Sequence, residues 1–392
     1  MTSLLDGLKR CLPRKARETL SYARAVGTSL AGKSHPSTRV YVALSNLGSP
    51  TERSAWRCFE PPIQKPDDPP RTIERAVHAN FRSKVFPLHA TFVASLEGAK
   101  VKGAGGCVYS KRDRPVSDLM AYRDFCDLLG DPFPHRSEAP ATRRLAGNTA
   151  LLATPWAERC YYHWLLELLP RFGLLEMSGY RLDEVDWFLI NEVRHRFQEE
   201  TLNKIGIPAD KIIYTNADTH IQAEMLIVPT VPRLSHNRLV GDFLQNLFPA
   251  EAAPPRRRRL YISRAKSAHR RVEKEDELFW VLERRGFERL YLEDLAVHQQ
   301  AQAMAAAEAV IAPHGAGLAN LVFCDKGTKV IELLSPRYVC PVFWELSNAR
   351  ELEYYYLLGE GQRIDRLRPW NNNADLRVDL DKLKRTLDLA GV

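Results

Sequence analysis

The sequence has few cysteines, and they form no recognisable motif. Seven are scattered along 392 residues without a CxxC pair, at Cys11, Cys58, Cys107, Cys126, Cys160, Cys324 and Cys340. An odd and dispersed set fits a reducing compartment better than a disulfide framework or a zinc site. The HExxH, GxSxG and Walker patterns are also missing, so a hydrolase or metalloenzyme interpretation has no comparable support.

Long apolar runs are missing as well. No stretch reaches the roughly 18 uninterrupted apolar residues that a membrane-spanning helix needs, and residues 1–30 lack the apolar block of a secretory signal. We therefore expect a cytoplasmic protein. Residues 1–30 are nevertheless basic and partly amphipathic. Peripheral contact with an anionic lipid surface stays open beside the preferred interpretation, a basic arm or a helix packed on its own domain.

The charge excess is small. Lys and Arg number 56 against 48 Asp and Glu, which leaves a formal charge of +8 on a chain that is 45% apolar. The length and composition predict two or three globular domains, and the charge favours anionic partners without naming one. Because the excess is modest and charges balance within the predicted helices, we expect no nucleic-acid binding.

The first half of the chain changes character along its length. Residues 48–72 carry six prolines, which predicts a loop or linker. Residues 83–121 predict short strands joined by turns, and residues 162–230 alternate between helix and strand, as is typical of an α/β domain. A short helix at 237–247, bracketed by prolines, is predicted to cross between two domains.

The second half is the most regular part of the sequence. Apolar strands alternate with helical patterns, and the strands are predicted at 259–263, 288–292, 309–312, 329–333 and 353–358. Strands joined by helical crossovers form a parallel, doubly wound sheet. Ligands of such sheets bind beyond the carboxyl ends of the strands, so residues that follow the strands are the first candidates for a site.

The strongest local signal is residues 312–320, Ala-Pro-His-Gly-Ala-Gly-Leu-Ala-Asn, where a strand gives way to a helix. Gly315 and Gly317 permit positive φ and close approach of another group, and a helix start offers unpaired N–H groups to an anion. His314 can donate to the same anion. A purely structural turn is the alternative, and the dinucleotide fingerprint is excluded because Asn320 stands where its third glycine would be.

Two further features point to the same edge of the predicted sheet. Arg264 ends the first strand of the second half, with Lys266 and Arg270 just after it, and Glu332 lies near the end of the fourth. An arginine suits a diphosphate and a carboxylate suits a ribose diol, so together they outline a nucleoside diphosphate. The alternatives are a surface arginine and a strand-end carboxylate paired with a nearby cation.

A third candidate lies in the first half. His163, Glu167 and Arg171 follow one another at i, i+4 spacing in an aromatic-rich helical segment, so they share one face. Pro170 weakens the helix after its second turn. A His hydrogen-bonded to a Glu is a reasonable general-base unit, and a satisfied structural pair is the alternative.

These blocks, in their order and spacing, resemble glycosyltransferase family 61. The resemblance runs from about residue 90 to residue 360, through YYHWLLELLPR, RLYISR with RRVEKEDEL, ERLYLEDL and AVIAPHGAGLANLVFCDKGTKVIELLSP. It implies two Rossmann-like domains that face a central cleft, the GT-B arrangement, and sugar transfer with inversion and without an essential metal. The family includes plant and animal enzymes and many bacterial proteins linked to capsule or surface polysaccharide synthesis.

The resemblance also implies residue roles. The donor diphosphate loop comprises His314, Gly315, Ala316, Gly317 and Asn320. Arg264 and Lys266 contact the diphosphate, and Glu332 contacts the ribose or the sugar. His163 and Glu167 line the acceptor side and are the catalytic candidates, with the choice of base left open.

The resemblance thus implies a metal-independent, inverting glycosyltransferase of the bacterial surface-polysaccharide type. The donor is expected to be a UDP-linked hexose, pentose or N-acetylhexosamine, the acceptor an oligosaccharide or glycan, and no further cofactor is expected. The predicted divisions are an amino-terminal arm and linker (1–80), an acceptor domain (81–236), a donor domain (237–372) and a terminal helix (373–392). A non-catalytic, transferase-like scaffold of a polysaccharide assembly complex is the alternative.

Overall fold

The computed structural model describes residues 54–60 (backbone only), 68–82, 91–116, 119, 140–231, 238–250, 258–361 and 374–392. The basic stretch at 1–30, for which membrane contact was considered, lies outside these residues. Within the described part of the chain, none of the helices combines the length and the apolar character needed to cross a bilayer.

The first half forms a mixed eight-stranded sheet. Its strands are β1 (Ser54–Glu60), β2 (Thr91–Glu97), β3 (Lys100–Lys102), β4 (Cys107–Tyr109), β5 (Arg143–Leu151), β6 (Trp187–Asn191), β7 (Ile212–Thr215) and β8 (His220–Pro229). The order is β1-β2-β8-β5-β6-β7, and β3 pairs with both β4 and β8. The strands β8, β5, β6 and β7 run parallel, whereas β1 to β4 add antiparallel pairs at one side.

One sequence expectation fails here. The proline-rich segment 48–72 was predicted to be a loop, but Ser54–Glu60 forms β1 and pairs antiparallel with β2. The prolines flank this strand at Pro50 and Pro61 and none stands within it, so every residue of β1 keeps its backbone N–H for the sheet. Because the prolines were counted over the whole segment 48–72, the proline-free stretch of seven residues at Ser54–Glu60 was overlooked.

The second half forms a five-stranded, fully parallel sheet. Its strands are β9 (Arg258–Ile262), β10 (Phe287–Leu290), β11 (Ala307–Pro313), β12 (Lys329–Leu334) and β13 (Glu353–Leu358), in the order β10-β9-β11-β12-β13. The α/β class and the predicted strands are confirmed. The chain direction across the sheet reverses between β9 and β11, and in doubly wound sheets ligands bind at the carboxyl ends of that pair.

Helices connect these strands, as the helical patterns between the predicted strands indicated. They are α1 (Pro170–Met177), α2 (Arg196–Ile205), α3 (Arg238–Leu247), α4 (Glu275–Glu283), α5 (Val297–Ala305), α6 (Val342–Ala349) and α7 (Leu380–Ala390). The Asp379 side chain caps α7 by accepting hydrogen bonds from two backbone N–H groups. Residues 316–323 form a 3₁₀ helix where an α-helix was expected.

The helix that leads into α1 is widened by one residue. Tyr161–His163 is α-helical, Trp164–Leu168 is π-helical, and the Leu169 N–H reaches the Trp164 carbonyl at 3.0 Å. Pro170 explains this, because it has no N–H to donate to its own i−4 carbonyl, that of Leu166, and its ring would clash with that carbonyl in a regular α-helix. The widened turn carries Glu167 and is buried throughout, whereas residues 161–163 before it are partly exposed.

The two sheets share a hydrophobic core. One continuous cluster joins Trp164 and Leu165 of the first half to Leu318, Val322 and Phe343 of the second. Residues 68–80, predicted to belong to the linker or to the start of the amino-terminal domain, and Phe81 after them lie along the outer edge of β13. Arg71 bridges there to Tyr355, and Phe81 packs between Trp344 and Tyr356. The GT-B arrangement and the domain boundaries stay predictions.

Arg171, the third member of the i, i+4 series, ties the carboxyl ends of β5 and β8 together. Its guanidinium is 2% exposed and donates to the carbonyls of Leu152, Ala153 and Pro229 at 2.6–2.9 Å. The acceptors are all backbone oxygens at the ends of parallel strands. Arg171 therefore has a structural role in the first sheet.

Replacing Arg171 by Leu should lower the free energy of unfolding by about 3–5 kcal/mol, because three buried carbonyls lose their donors. Urea denaturation followed by circular dichroism measures the change. Arg181→Leu is the control, since Arg181 is exposed and pairs only with neighbouring acids; its unfolding curve should overlay that of the wild type. A loss below about 1 kcal/mol for Arg171→Leu would contradict this structural role.

Candidate functional site

The carboxyl ends of β9 and β11 lie side by side and carry two of the predicted residues. Arg264 follows β9, and its guanidinium crosses the loop after β11 at Gly315. A Cβ added to Gly315 would stand 2.0 Å from the Arg264 Nη1. Gly315 has φ 175°, which any residue adopts, and Gly317 is not among the positive-φ residues. The expectation that positive φ explains these glycines is wrong, and close approach explains Gly315.

The Arg264 guanidinium is held by its own loop. Nη2 donates to the Ser267 hydroxyl at 2.7 Å and to the His269 carbonyl at 2.9 Å, and Nε donates to the Arg270 carbonyl at 3.3 Å. Burial, and next the charge of Arg270, lower the pKa of Arg264 to about 10. A bound anion would counter the repulsion between these two cations and replace the water that burial removes, so anion binding at this loop stays a prediction that the charges favour.

Arg270 extends this cationic loop toward His314. Its backbone is left-handed, with φ 57°, and its guanidinium carbon lies 5.6 Å from the ring centre of Tyr338. That ring in turn meets the His314 imidazole edge to face at 5.0 Å. The Arg270 Nε is buried and has no hydrogen-bond partner in the described structure. Arg264, Arg270 and His314 therefore supply three donor groups around one strand edge.

His314 is positioned by a buried carboxylate. Its Nδ1 lies 2.5 Å from Glu332 Oε1, and the Tyr354 hydroxyl donates to Oε2 of the same residue. Glu332 is completely buried and His314 is 7% exposed. Burial and the nearby Glu332 raise the pKa of Tyr354, so this hydroxyl keeps its proton and serves as a donor. Because the carboxylate accepts a hydrogen bond from Nδ1–H, Nε2 is the nitrogen that remains for a ligand.

The structure places several predicted donor residues in other environments. The Asn320 amide is buried and occupied by the Tyr161 hydroxyl, the Gln300 side chain and the Gly317 carbonyl. Lys266 is paired with Asp294 at the surface. Both Glu332 oxygens are engaged within the protein, so its contact with a ribose or sugar stays a prediction that this geometry does not favour. Ala316 and Gly317 are partly exposed beside Gly315.

His163 and Glu167 form a second pair of the same kind. His163 Nδ1 lies 2.9 Å from Glu167 Oε2, and the Thr154 hydroxyl lies 3.5 Å from the same oxygen. The side chains are 17% and 7% exposed. Arg171, the next residue in the series, is tied to backbone carbonyls. The predicted polar stripe therefore divides into a histidine–carboxylate pair and a structural arginine.

An aromatic layer joins the two histidine–carboxylate pairs. Ring centres follow one another from His163 to Tyr162 at 5.1 Å, from Tyr162 to Phe343 at 5.9 Å, and from Phe343 to His314 at 5.2 Å. Burial raises the pKa of the Cys160 thiol. The charge of Glu167, in the first half, raises this pKa further, and the charge of Arg270, in the second half, lowers it, so both charges lie near the thiol. The two pairs thus belong to one region where the two halves of the protein meet.

Sequence reasoning missed Tyr338, Phe343 and Tyr354, and noted Arg270 only as a neighbour. One signal could have revealed the role of Glu332. It alternates with Val330 and Leu334, and period-two alternation places all three on one face of β12. The two aliphatic residues lie in the main core, so Glu332 had to point inward and required buried partners.

Comparison with known proteins gives two matches. The family model described as "Glycosyltransferase 61" matches residues 161–331, a segment that begins with the helix of His163 and ends one residue before Glu332. A curated protein, beta-ketoacyl-[acyl-carrier-protein] synthase III from Sphingopyxis alaskensis, is 26% identical over 136 residues. That alignment covers 32% of this chain and 39% of that protein, so the chain spans about two fifths of the relative's length. The family match supports the resemblance to glycosyltransferase family 61 and a transferase activity.

The cationic loop should bind inorganic pyrophosphate through Arg264. Arg264→Gln should weaken that binding about tenfold or more, because a charge-assisted hydrogen bond is lost. Isothermal titration calorimetry measures the affinity. Arg271→Gln is the matched control, since Arg271 is exposed and pairs with Asp375. Equal affinities for wild type and Arg264→Gln would rule out this placement of the anion.

Proposed function

We propose that this protein is an inverting glycosyltransferase that moves a sugar from a nucleoside-diphosphate sugar, expected to be UDP-linked, to a hydroxyl of a saccharide acceptor. The proposal rests on one observation: two sets of groups lie in the same region. One set is the cationic strand edge formed by Arg264 and His314, and the other is the histidine–carboxylate pair of His163 and Glu167. The family match over residues 161–331 supports the same chemistry.

The donor diphosphate lies at the carboxyl ends of β9 and β11. Arg264 and Arg270 offer it positive charge, and His314 offers Nε2, which donates when the ring is protonated. Glu332 acts through His314: it fixes the ring orientation and stabilises the imidazolium, while Tyr354 holds Glu332 in place. This arrangement supports charge stabilisation on the departing diphosphate without a metal ion, which stays a prediction.

The acceptor reacts on the side of His163. Nε2 of His163 removes the proton of the acceptor hydroxyl as the O–H bond breaks. The acceptor oxygen forms a bond to the anomeric carbon of the donor sugar from the face opposite the phosphate. The bond from that carbon to the phosphate oxygen breaks, and its electron pair leaves with the nucleoside diphosphate. One displacement inverts the anomeric configuration. The products are the new glycoside, the nucleoside diphosphate and the proton held on His163.

Between His163 and Glu167, we assign His163 as the base. Glu167 accepts from Nδ1, which makes Nε2 the basic nitrogen and leaves the carboxylate at 7% exposure behind the ring. A saccharide hydroxyl would reach the imidazole before it reached the carboxylate. Transfer of a hexose, pentose or N-acetylhexosamine in surface polysaccharide synthesis, in the cytoplasm or at a membrane, is the biological setting that this proposal includes.

The proposal predicts that a nucleoside-diphosphate sugar raises the melting temperature and is consumed. Thermal shift and nucleotide release are measured with UDP-, GDP- and dTDP-linked sugars, with and without EDTA. His314→Ala should lose donor binding and turnover together, about tenfold or more in each. Release that disappears with EDTA contradicts metal independence. A wild-type protein that neither binds nor consumes any donor favours the non-catalytic scaffold instead.

His163→Ala should reduce turnover by a factor of about 10²–10⁴ while donor affinity stays at the wild-type value, because general-base catalysis is lost and the anion site is intact. Added imidazole should restore part of the rate. Glu167→Gln should reduce turnover less, since it only disturbs ring orientation. His298→Ala, on the exposed face of α5, is the matched control. Activity that survives His163→Ala but not Glu167→Gln would make Glu167 the base.

A further inference from the structure

Trp156 has a backbone conformation that its side chain disfavours. It lies in the turn between β5 and the helix of His163, with φ 68°. A bulky residue in the left-handed region is a genuine outlier, because its Cβ crowds the neighbouring carbonyl. Such outliers cluster at binding and catalytic sites and persist only where surrounding contacts enforce them.

The surrounding contacts are present on both sides of Trp156. Before it, Thr154 is fully buried, and its N–H and carbonyl are both bound by the Asn191 amide at 2.9 Å. After it, the Ala157 carbonyl accepts from the Gln198 side chain at 2.9 Å. The Trp156 carbonyl then accepts from the N–H groups of Arg159 and Cys160. Hydrogen bonds therefore hold the residues on both sides of Trp156, and the left-handed turn lies between these two fixed points.

The enforced turn directs the indole to the candidate base. The ring centres of Trp156 and His163 are 5.2 Å apart and inclined by 44°, and Trp156 is partly exposed. In the described part of the chain, the other left-handed residues outside glycine are all charged: Asp113, Arg270, Lys274 and Glu351. Asp113 pairs with two lysines and Lys274 precedes α4, which are ordinary turn roles. Among the residues that the structure describes, Trp156 is the one at which this conformation holds a large apolar surface next to the candidate base.

We propose that the indole of Trp156 is the platform for the acceptor: a pyranose ring lies on it with its apolar C–H face, and one hydroxyl is directed at Nε2 of His163. This inference rests on the proposed function and adds the binding subsite of the acceptor sugar. A rigid aromatic surface binds a sugar face at low entropic cost, since neither the loop nor the ring has to be ordered on binding.

Trp156→Gly separates this role from a structural one, because glycine accepts the left-handed conformation and the strain disappears with the indole. The probes are methyl pyranosides of glucose, galactose and xylose, and saturation-transfer NMR reports contact with their ring protons. Wild type should transfer saturation to at least one of them. Trp156→Gly should lose this signal, or weaken the affinity roughly tenfold, with an unchanged melting temperature and nucleotide affinity.

Two further variants complete the test. Trp156→Tyr keeps an aromatic platform and should retain binding, and Trp280→Ala, which removes an exposed tryptophan on α4, should bind as wild type does. No transfer to any of the three pyranosides from wild type, or equal binding by Trp156→Gly, overturns the platform. Pyranoside binding through Trp156 without binding of any nucleoside-diphosphate sugar would overturn the glycosyltransferase and leave the platform standing, so the two failures are distinct.

Discussion

The candidate site depends on one buried carboxylate. Glu332 points from β12 into a core of aliphatic and aromatic side chains, where an unpaired charge would be prohibitively unstable. The Tyr354 hydroxyl and the His314 ring are the two donors that satisfy it. Because this pairing fixes His314 at the end of β11, it also fixes the start of the following loop. Gly315 then leaves the space across which the Arg264 guanidinium lies. The positions of His314, Gly315 and Arg264 at this edge are therefore linked to the pairing of one buried charge, that of Glu332.

The protein contains two histidine–carboxylate pairs, and the two are formed by different elements of the fold. Glu167 reaches His163 within one helical segment, four residues away, whereas Glu332 reaches His314 between adjacent parallel strands. The widened turn at Trp164–Leu168 and the strand alternation of β12 both place a carboxylate behind an imidazole. In each pair the carboxylate is more deeply buried than the ring, so the imidazole is the more accessible group of the pair. This order of burial favours histidine for contact and carboxylate for support.

Sequence reasoning succeeded where a signal was local. The i, i+4 spacing predicted that His163 and Glu167 share a face, and strand–turn patterns located every strand of the second sheet. Sequence reasoning failed where the role of a residue depends on a partner that is distant in the sequence. Arg171 has the spacing of a site residue, but its guanidinium donates to carbonyls at the ends of β5 and β8. These two strands are distant in the sequence and become neighbours only in the folded sheet. Likewise, no sequence pattern shows that Arg264 will lie across Gly315, since 50 residues separate them.

Asn320 gives the same lesson about function. Its place in the glycine-rich segment predicted a contact with the donor, yet its amide accepts from the Tyr161 hydroxyl and donates to Gln300 and Gly317. Tyr161 begins the helical segment that carries His163, and Asn320 stands six residues after His314. A single hydrogen bond therefore links the two elements that hold the two histidines. Asn320 therefore connects the helical segment that carries His163 with the loop that follows His314, and its contact with a donor stays a prediction.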